Sequence, residues 1–457
     1  MPIFTLYCEN PETGLRARFF YDNLTSELLR EDGSPVLPPA DTAPSGDPIH
    51  FVSRDVPGIK SAPLTLKIQL GLGCNHACSY CNQRGQAEGA RAARGADVER
   101  FLSGLSGWFD GGAQGDGNGC RIEFWGGEPL VYRKTLVPLA EVLRARYPKA
   151  LFSLITNGSL LDREINAWLD DLGFHVGVSH DGPGQSMRGP DPLTVPENLD
   201  AIRDLYRRLH PQGRFSFNVM LHRSNRSRAA INRFFVNLTG DPTVAIGEGS
   251  FIDPYDAGGL SHSFLSDAES LAFRREAFAD LRHGRAPNFA LVPQRLAGII
   301  DGIARRRPAA HLGQKCGMDR SDALAVDLNG QVLTCQNVSS RTIAPNGRPH
   351  RIGHVANLDG VRLDTATHWS HRGECVNCPV LQSCRGACMF LDGVLWEAGC
   401  NNAFADHLPF FAAAIEHLTG TMPFYIDGPQ RESRRDIFGL IAEAHQTAHP
   451  RAEAVSA

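Results

Sequence analysis

Residues 64–83 read LTLKIQLGLGCNHACSYCNQ, a short strand-like run followed directly by three closely spaced cysteines. Apolar and polar residues alternate over 64–70, which predicts a β-strand. Cys74, Cys78 and Cys81 then follow in a C-x3-C-x2-C spacing. Three thiolates in one loop can hold three irons of a [4Fe–4S] cluster, because cysteine thiolate is the usual ligand of such clusters. The fourth iron would keep an open position, at which a Lewis acid can chelate a small molecule.

A structural zinc site is the alternative interpretation of this loop. Zinc in such sites takes four ligands and leaves no open position. His76 could supply the fourth ligand only by folding back between two of the cysteines. The spacing of the cysteines, directly after a strand, therefore favours the iron–sulfur interpretation.

The chain after this loop alternates short apolar strands with helical stretches, which is typical of βαβ units around a parallel sheet. Predicted strands cover 64–70, 121–125, 151–156, 175–179, 215–221 and 243–247. Helices with apolar residues at helical spacing are predicted between them, and two more over about 267–283 and 289–307. Six βα repeats predict a partial barrel or an open sheet, and in both the ligand site lies at the carboxyl ends of the strands.

Composition excludes several classes of function. The 457 residues include 46 basic and 50 acidic ones, and the net charge of −4 provides no electrostatic footprint for nucleic acid or an anionic membrane surface. No apolar run approaches the roughly 18–20 residues of a membrane span. The N-terminus lacks the order of a signal peptide. We therefore expect a cytoplasmic protein, in which the 12 cysteines do not form disulfides and those gathered in clusters bind metal.

The cysteine loop, with the aromatic Tyr80 before its third cysteine, resembles the defining loop of the radical SAM superfamily. Three more segments resemble the positions where that family binds S-adenosylmethionine, each after a successive predicted strand. They contain Gly126, Gly127 and Glu128, then Thr156 and Asn157, then Ser179 and Arg188. Glycines allow close backbone approach to a ligand, and a carboxylate suits an ammonium group. The resemblance implies that the first segment receives the methionine amino group, the second faces the ribose, and the third contacts the ribose and the methionine carboxylate.

Seven further cysteines lie in the C-terminal part of the chain. They are Cys316, Cys335, Cys375, Cys378, Cys384, Cys388 and Cys400. Their layout resembles the SPASM extension of radical SAM enzymes, which houses two auxiliary [4Fe–4S] clusters. The resemblance implies one cluster on Cys375, Cys378, Cys384 and Cys400, and another on Cys316, Cys335 and Cys388. On spacing alone, zinc ribbons are the alternative.

The second of these auxiliary sites is one cysteine short. Family members with full ligation carry an additional cysteine shortly before the first of the set, and here none lies between Cys120 and Cys316. One iron is then open to substrate, or takes a ligand such as His311 or Asp319. Cys8 has no partner spacing, and Cys120 is interpreted as a core residue because free cysteine packs as a small hydrophobe.

The predicted fold class is α/β, a partial (β/α)6 radical SAM barrel with a small N-terminal β-rich piece and a C-terminal cysteine-rich auxiliary-cluster domain. The predicted domains are a β-rich segment with linker, the partial TIM barrel, the SPASM-type domain, and a C-terminal helix and tail, over 1–60, 61–310, 311–405 and 406–457. Residues 1–60 are too short and too strand-rich for the winged-helix leader-binding domain of many peptide-modifying relatives.

The resemblance implies a function. S-adenosylmethionine and three [4Fe–4S] clusters, one radical and two auxiliary, would generate a 5′-deoxyadenosyl radical, with electrons from a donor such as flavodoxin or ferredoxin. Among SPASM relatives the common task is to crosslink or oxidise a ribosomally made peptide, and a small-molecule metabolite in natural-product biosynthesis is the alternative. Sulfatase maturases place an acidic base directly after the second C-terminal cysteine. Here Gln336 follows Cys335, which weighs against formylglycine formation.

The loop after the sixth predicted strand carries three carboxylates near the expected mouth of the site. They are Glu248, Asp253 and Asp256. Loop carboxylates are usually solvated, although binding and catalytic residues are also concentrated on loops. A catalytic role for one of the three is therefore the less common alternative to simple solvation.

Overall fold

The computed structural model describes residues 3–38, 58–60, 64–86, 95–105, 109, 115–253 and 255–441. Its strands are β1 (Ile3–Glu9), β2 (Arg16–Asp22), β3 (Glu27–Arg30), β4 (Gly58–Ile59), β5 (Thr65–Gln69), β6 (Arg121–Trp125), β7 (Leu151–Thr156), β8 (Phe174–Ser179), β9 (Phe215–Leu221), β10 (Ile246–Phe251), β11 (Ala323–Asp327), β12 (Gln331–Leu333), β13 (Arg351–His354), β14 (Arg362–Leu363) and β15 (Met422–Asp427). Its α-helices are α1 (Gly95–Leu105), α2 (Arg133–Arg146), α3 (Arg163–Asp171), α4 (Pro196–Leu209), α5 (Arg228–Thr239), α6 (Ala257–Ser263), α7 (Asp267–Arg282), α8 (Leu291–Ala304), α9 (Gly373–Val376), α10 (Leu381–Cys384) and α11 (Gly393–Thr419). Within these ranges, no helix has the length and apolar character needed to cross a membrane.

A nine-stranded sheet forms the centre of the molecule, in the order β10-β9-β8-β7-β6-β5-β11-β12-β13. Strands β5 to β10 are parallel neighbours, and one helix from α1 to α5 connects each successive pair. These six strands correspond to the six predicted ones, so the predicted α/β fold class is confirmed.

Side chains on the parallel strands alternate between the two faces of the sheet, as the twofold period of a strand requires. In β9 the buried core side chains are Phe215, Phe217, Val219 and Leu221. Ser216, Asn218 and Met220 alternate with them and line a cavity inside the curved sheet. The barrel strands therefore supply an apolar face for packing and a polar inner face for a ligand.

Strands from the cysteine-rich region extend the same sheet. β11 pairs in parallel with β5, and β12 and β13 follow as antiparallel neighbours. Cys316 precedes β11 and Cys335 follows β12 by two residues. This pairing fixes both cysteines next to the first strand of the barrel.

The N-terminal strands form a separate sheet that the C-terminal segment completes. Its order is β15-β1-β2-β3, with β15 antiparallel to β1. Its apolar residues, such as Phe4 and Ile426, pack in one buried cluster with Phe411 and Ile415 of α11. The predicted boundary between residues 405 and 406 falls inside α11. Most of the predicted linker lies outside the described residues.

A buried ion cluster ties α11 to the barrel. Asp406 pairs with Arg228, and its Oδ2 lies 2.7 Å from Arg295 Nη1. Arg228 Nε also donates to the Gly249 carbonyl at 2.9 Å, and Arg295 Nη2 donates to Ser250 Oγ at 2.6 Å, so both guanidinium groups lie against β10. Burial acts to raise the pKa of Asp406, but the two guanidinium groups outweigh it and hold that pKa well below its usual range.

Candidate active site

The radical loop, defined by Cys74, Cys78 and Cys81, follows the carboxyl end of β5. The His76 N–H donates to Cys74 Sγ at 3.3 Å, and the Gln83 N–H donates to Cys81 Sγ at 3.4 Å. Backbone N–H groups that point at sulfur favour the thiolate, which is the form that binds metal. The loop backbone is therefore arranged to support thiolate ligands.

A buried polar network lies beside the radical loop. Asp181 accepts hydrogen bonds from the Tyr80 hydroxyl and from the Met220 N–H, the latter at 2.9 Å, and pairs with Arg188 Nη2 at 3.0 Å. The Arg188 guanidinium lies 5.7 Å from the centroid of the Tyr80 ring. Burial raises the pKa of the Cys78 thiol to about 12, and Arg188 opposes that shift. The network thus holds the Arg188 guanidinium, paired with the Asp181 carboxylate, next to the radical loop.

Glu128 joins the turns that follow β6 and β7. Its Oε1 accepts hydrogen bonds from the Leu130 N–H at 3.0 Å and the Thr156 hydroxyl at 2.8 Å. Its Oε2 accepts the Asn157 N–H at 2.7 Å. Burial raises the pKa of Glu128, and these donors oppose the shift. The Glu128 carboxylate is therefore hydrogen-bonded to two other residues that are predicted to contact S-adenosylmethionine, Thr156 and Asn157.

The two glycines after β6 are required by the close approach of two backbones. A Cβ on Gly127 would lie 2.4 Å from the Gly73 carbonyl oxygen, and one on Gly126 would lie 2.8 Å from that of Gly71. The glycine turn thus packs directly on the radical loop. Ser179, the last residue of β8, is half-buried. All eight predicted S-adenosylmethionine-contacting residues lie at the carboxyl ends of β5 to β8 or in the loops that follow, and their contacts with the ligand stay a prediction.

The four-cysteine site lies where α9, α10 and α11 meet. Its members, Cys375, Cys378, Cys384 and Cys400, line one small cavity. Among the described residues, no three side chains of His, Cys, Asp or Glu converge as the ligands of a single metal ion do. In a [4Fe–4S] cluster each thiolate binds a different iron, so four thiols spread around a cavity fit a cluster better than a zinc ion.

The barrel encloses a cavity of about 710 Å³. Each of the six barrel strands contributes a polar residue to its lining, namely Lys67, Glu123, Ser153, His175, Asn218 and Ser250. The three-cysteine site, defined by Cys316, Cys335 and Cys388, lines the same cavity. The set that resemblance assigned to the incomplete auxiliary cluster thus faces the barrel interior.

Comparison with protein families identifies the domain. Residues 68–231 match the family model described as the radical SAM superfamily. The chain contains a radical SAM domain. No curated protein matches the chain.

Two structures of anSMEcpe share the fold of this enzyme, and a structure of SuiB is a weaker match. anSMEcpe with bound AdoMet and the Cp18Cys peptide has a TM-score of 0.54 at 19% identity, covering 78% of this chain and 98% of that chain. Hexahistidine-tagged anSMEcpe with bound AdoMet has a TM-score of 0.55 at 20% identity over the same shares. Streptococcus suis SuiB bound to precursor peptide SuiA has a TM-score of 0.45 at 16% identity, covering 72% of each chain.

Two residues were expected as alternatives for the missing auxiliary ligand, and the structure places them differently. Asp319 is buried and interacts electrostatically with Cys316. Its Oδ2 accepts the Gln314 N–H at 2.8 Å, whereas its Oδ1 is buried with no hydrogen-bond partner among the described residues. His311 is exposed on a short 3-10 turn. Asp319 is therefore the better placed of the two to reach an iron.

The three loop carboxylates of the enzyme lie in different surroundings. Glu248 and Asp253 line the barrel cavity. Asp256 instead caps α6 and pairs with Arg84 Nη2 at 2.6 Å. Burial raises the pKa of Asp253, and Lys315 opposes that shift. Neither Asp253 nor Glu248 has a hydrogen bond or ion pair within the described part of the chain, so both carboxylates are available to a substrate in the enzyme's cavity, and Asp253 is the more buried of the two.

Sequence reasoning missed one residue of the enzyme's site. Asp181 binds both Tyr80 and Arg188, and the signal for it was its place in the segment Ser179-His180-Asp181-Gly182-Pro183. Of the cysteines not assigned to iron, Cys120 is buried in the barrel core as predicted, and Cys8 is buried among the N-terminal strands.

Proposed function

We propose that the enzyme modifies a ribosomally made peptide by hydrogen abstraction inside the barrel cavity, to form a crosslink or an oxidised side chain. The observation that carries the proposal is that the three-cysteine site and the inner faces of the barrel strands line one cavity. The fold it shares with anSMEcpe, whose structure holds a bound peptide, supports a peptide substrate. A small-molecule metabolite is the alternative.

We infer that the radical loop, the four-cysteine site and the three-cysteine site each hold one [4Fe–4S] cluster. When bound, S-adenosylmethionine and the cluster of the radical loop supply the 5′-deoxyadenosyl radical that abstracts hydrogen. The protein's own part is orientation. Asp181 keeps Arg188 and Tyr80 beside the radical loop, and Glu128 fixes the turns after β6 and β7.

The inner face of the barrel offers a fixed ionic surface for the substrate. Lys67 Nζ lies 3.1 Å from Glu123 Oε2, and the indole N–H of Trp125 donates to the same oxygen at 3.1 Å. Lys67 Nζ also lies 5.6 Å from the Trp125 ring centroid. Such a preorganised group can hold polar atoms of a substrate at low entropic cost, which is the condition for a defined hydrogen to face the radical.

Asp253 is positioned to accept the proton that a substrate group loses on oxidation. It lies in the cavity wall and interacts electrostatically with Cys388 of the three-cysteine site. Gln336, which follows Cys335 and also lines the cavity, has an amide that cannot take a proton at neutral pH. The acid–base chemistry of this cavity is therefore arranged differently from the formylglycine-forming pattern.

Because the three-cysteine site has no fourth cysteine, two groups are candidates for the fourth ligand of its cluster. The fourth position is taken either by a group of the substrate or by Asp319, whose Oδ1 lacks a protein partner among the described residues. An open position facing the cavity would anchor the substrate, because an unsatisfied iron acts as a Lewis acid.

Deuterium transfer from a labelled peptide tests the proposal. The gene's neighbourhood is first searched for a short open reading frame, and a fully deuterated synthetic copy of the peptide that it encodes is incubated with reconstituted enzyme, S-adenosylmethionine and dithionite. We expect deuterium in 5′-deoxyadenosine by mass spectrometry, because the radical takes hydrogen from carbon. The Cys74→Ala, Cys78→Ala, Cys81→Ala variant is the matched control and should give none. Deuterium arriving only from labelled metabolites, and never from a peptide, would favour the alternative.

A further inference from the structure

A buried arginine from the C-terminal segment reaches the four-cysteine site. Arg434 exposes 7% of its surface and lies in the wall of the cavity that the four cysteines line. Its Nη2 donates to Cys400 Sγ at 3.4 Å and to Asn401 Oδ1 at 2.7 Å. Its guanidinium carbon lies 4.6 Å from the centroid of the Phe404 ring. The side chain is thus held against a sulfur that is proposed to bind iron.

Arg434 differs from its neighbours in having no carboxylate partner within the described residues. Arg431 lies 3.5 Å from Glu374, and Arg435 lies 3.0 Å from Asp427. Burial acts to lower the pKa of Arg434, and the thiols that include Cys400 outweigh it, so the pKa is raised. A buried guanidinium is costly unless negative charge compensates it. The sulfurs of the four-cysteine site are the negative charge available.

The fold holds the arginine in place from both sides. Before it, the Ile426 N–H of β15 donates to the Arg435 carbonyl at 2.9 Å, which closes the turn that contains Arg434. After it, the buried ring of Phe438 stacks on Phe278 of α7 with centroids 4.8 Å apart. The guanidinium is therefore delivered by an anchored segment and not by a free tail.

We propose that Arg434 raises the reduction potential of the cluster at the four-cysteine site. The inference rests on the proposed function, because it requires a cluster there. Reduction adds one negative charge to a cluster, so a fixed cation against a ligand sulfur stabilises the reduced form more than the oxidised form. Net charge and hydrogen bonds to the sulfurs are among the factors that set such potentials. A raised potential makes this site a better acceptor for the electron that a substrate radical gives up on oxidation.

Potentiometric titration followed by electron paramagnetic resonance tests the role of Arg434. Arg434→Gln should lower the reduced-to-oxidised ratio of this cluster at least tenfold at a fixed potential, which is about 59 mV for a one-electron couple. Arg434→Lys keeps the charge and should recover most of that shift. The cluster of the three-cysteine site, measured in the same sample, should not move. Arg431→Gln, on the same turn but with its side chain 41% exposed, is the matched control and should leave both potentials unchanged.

The outcomes separate this inference from the proposed function. An Arg434→Gln variant with full iron and an unchanged potential would overturn the inference alone. If Arg434→Gln loses iron, Arg434→Lys decides the matter. Recovery of iron and potential by lysine supports a role of charge, whereas equal loss would show a packing role and overturn it. Wild-type protein with only about eight irons and an empty four-cysteine site would defeat the proposed function, and this inference with it.

Discussion

Asp253 is a carboxylate held in the wall of a polar cavity without a fixed partner among the described residues. Its neighbours there are Lys315, whose charge acts on it, and the thiol of Cys388. Its Oδ1 would lie 2.9 Å from a Cβ placed on Gly399, so the carboxyl group packs against α11 just before Cys400. A group in this position can take a proton from a substrate while the electron leaves toward the auxiliary sites.

We expect Asp253→Asn to keep hydrogen abstraction and lose product. General-base catalysis typically contributes about 10²–10⁴-fold, so product formation should fall by about that factor. Deuterium transfer from the labelled peptide into 5′-deoxyadenosine should continue. Both are measured by mass spectrometry of one reaction.

Asp256→Asn is the matched control, because that carboxylate pairs with Arg84 and does not line the cavity. It should leave product formation within about twofold of wild type, as expected for a residue without catalytic contact. Equal product from the Asp253→Asn variant and the wild-type enzyme would remove Asp253 from the mechanism.

Residue-level prediction worked where function is encoded in local spacing. Local spacing keeps Cys74, Cys78 and Cys81 together in one loop. The two interleaved C-terminal sets came from the family resemblance, and cluster binding at all three sites stays a prediction. Asp181 and Arg434 were missed for the opposite reason. Each acts on residues distant in sequence, and such contacts follow from the packing of whole elements.

At the level of elements, hydrophobic periodicity predicted the barrel strands well, and the largest displacement has a physical cause. The sixth strand was predicted over 243–247 and runs over Ile246–Phe251. A bulge lies between Glu248 and Ser250, where Glu248 has φ +58° and Gly249 has φ +77°. Glycine and a charged residue inside a strand resemble a turn in sequence, and bulges are where such residues occur.

Strands with distant partners were not predicted. β11 to β13 extend the barrel sheet from the cysteine-rich region, and β15 pairs with β1 from the other end of the chain. Several of these strands are short, and their stability comes from the sheet edge that they join. A sequence pattern carries information about which face is apolar, but not about which edge will accept the strand.

Helix α11 offers a test of how the cysteine-rich region is held on the barrel. Asp406→Asn would leave Arg228 and Arg295 buried without their counter-charge, and breaking a buried pair in this way costs about 3–5 kcal/mol. Urea unfolding of the apo protein should show that loss. Asp427→Asn breaks the half-exposed pair with Arg435 and should cost about 1 kcal/mol or less. Equal losses in the two variants would contradict a buried anchor.

Wild-type protein and the Asp406→Asn variant should also respond differently to acid. The folded pKa of Asp406 is lowered, so its stabilising contribution is present above the unfolded value of about 3.9 and is lost as pH falls below it. The difference in unfolding free energy between wild type and Asp406→Asn should therefore shrink by about 1.4 kcal/mol per pH unit below that point. A difference that stays constant down to low pH would mean that the carboxylate is not the anchor.

At the scale of the whole molecule, the loops around the barrel cavity are connected by direct hydrogen bonds. Gln86, near the end of the radical loop, accepts the Ser339 N–H at 3.0 Å and the Thr342 hydroxyl at 2.7 Å through Oε1. Gln69 at the end of β5 donates to the Gln336 carbonyl at 2.8 Å. These hydrogen bonds attach the segment after Cys335 to β5 and to the residues that follow the radical loop. They therefore hold the three-cysteine site in a fixed position relative to the radical loop.

Iron content tests whether the three cysteine sets are separate cluster sites. The sets share no cysteine, so each should load independently. Wild-type protein should contain about twelve irons after anaerobic reconstitution, and removing either three-cysteine set by alanine substitution should leave about eight. Loss of Cys74, Cys78 and Cys81 should abolish 5′-deoxyadenosine, because the radical loop is the proposed site at which S-adenosylmethionine is cleaved. Loss of Cys316, Cys335 and Cys388 should leave 5′-deoxyadenosine formation in place.

The control for these counts is Cys8→Ala with Cys120→Ala, since both thiols are buried in apolar cores at 1% and 2% exposure. That variant should keep all of its iron and its activity, because neither thiol lies at a proposed cluster site. Stoichiometric zinc with only about four irons in the wild-type protein would mean that residues 316–400 form a zinc module. Continued cleavage of S-adenosylmethionine without Cys74, Cys78 and Cys81 would contradict the assignment of the radical loop, since an open iron needs the three thiolates that hold its cluster.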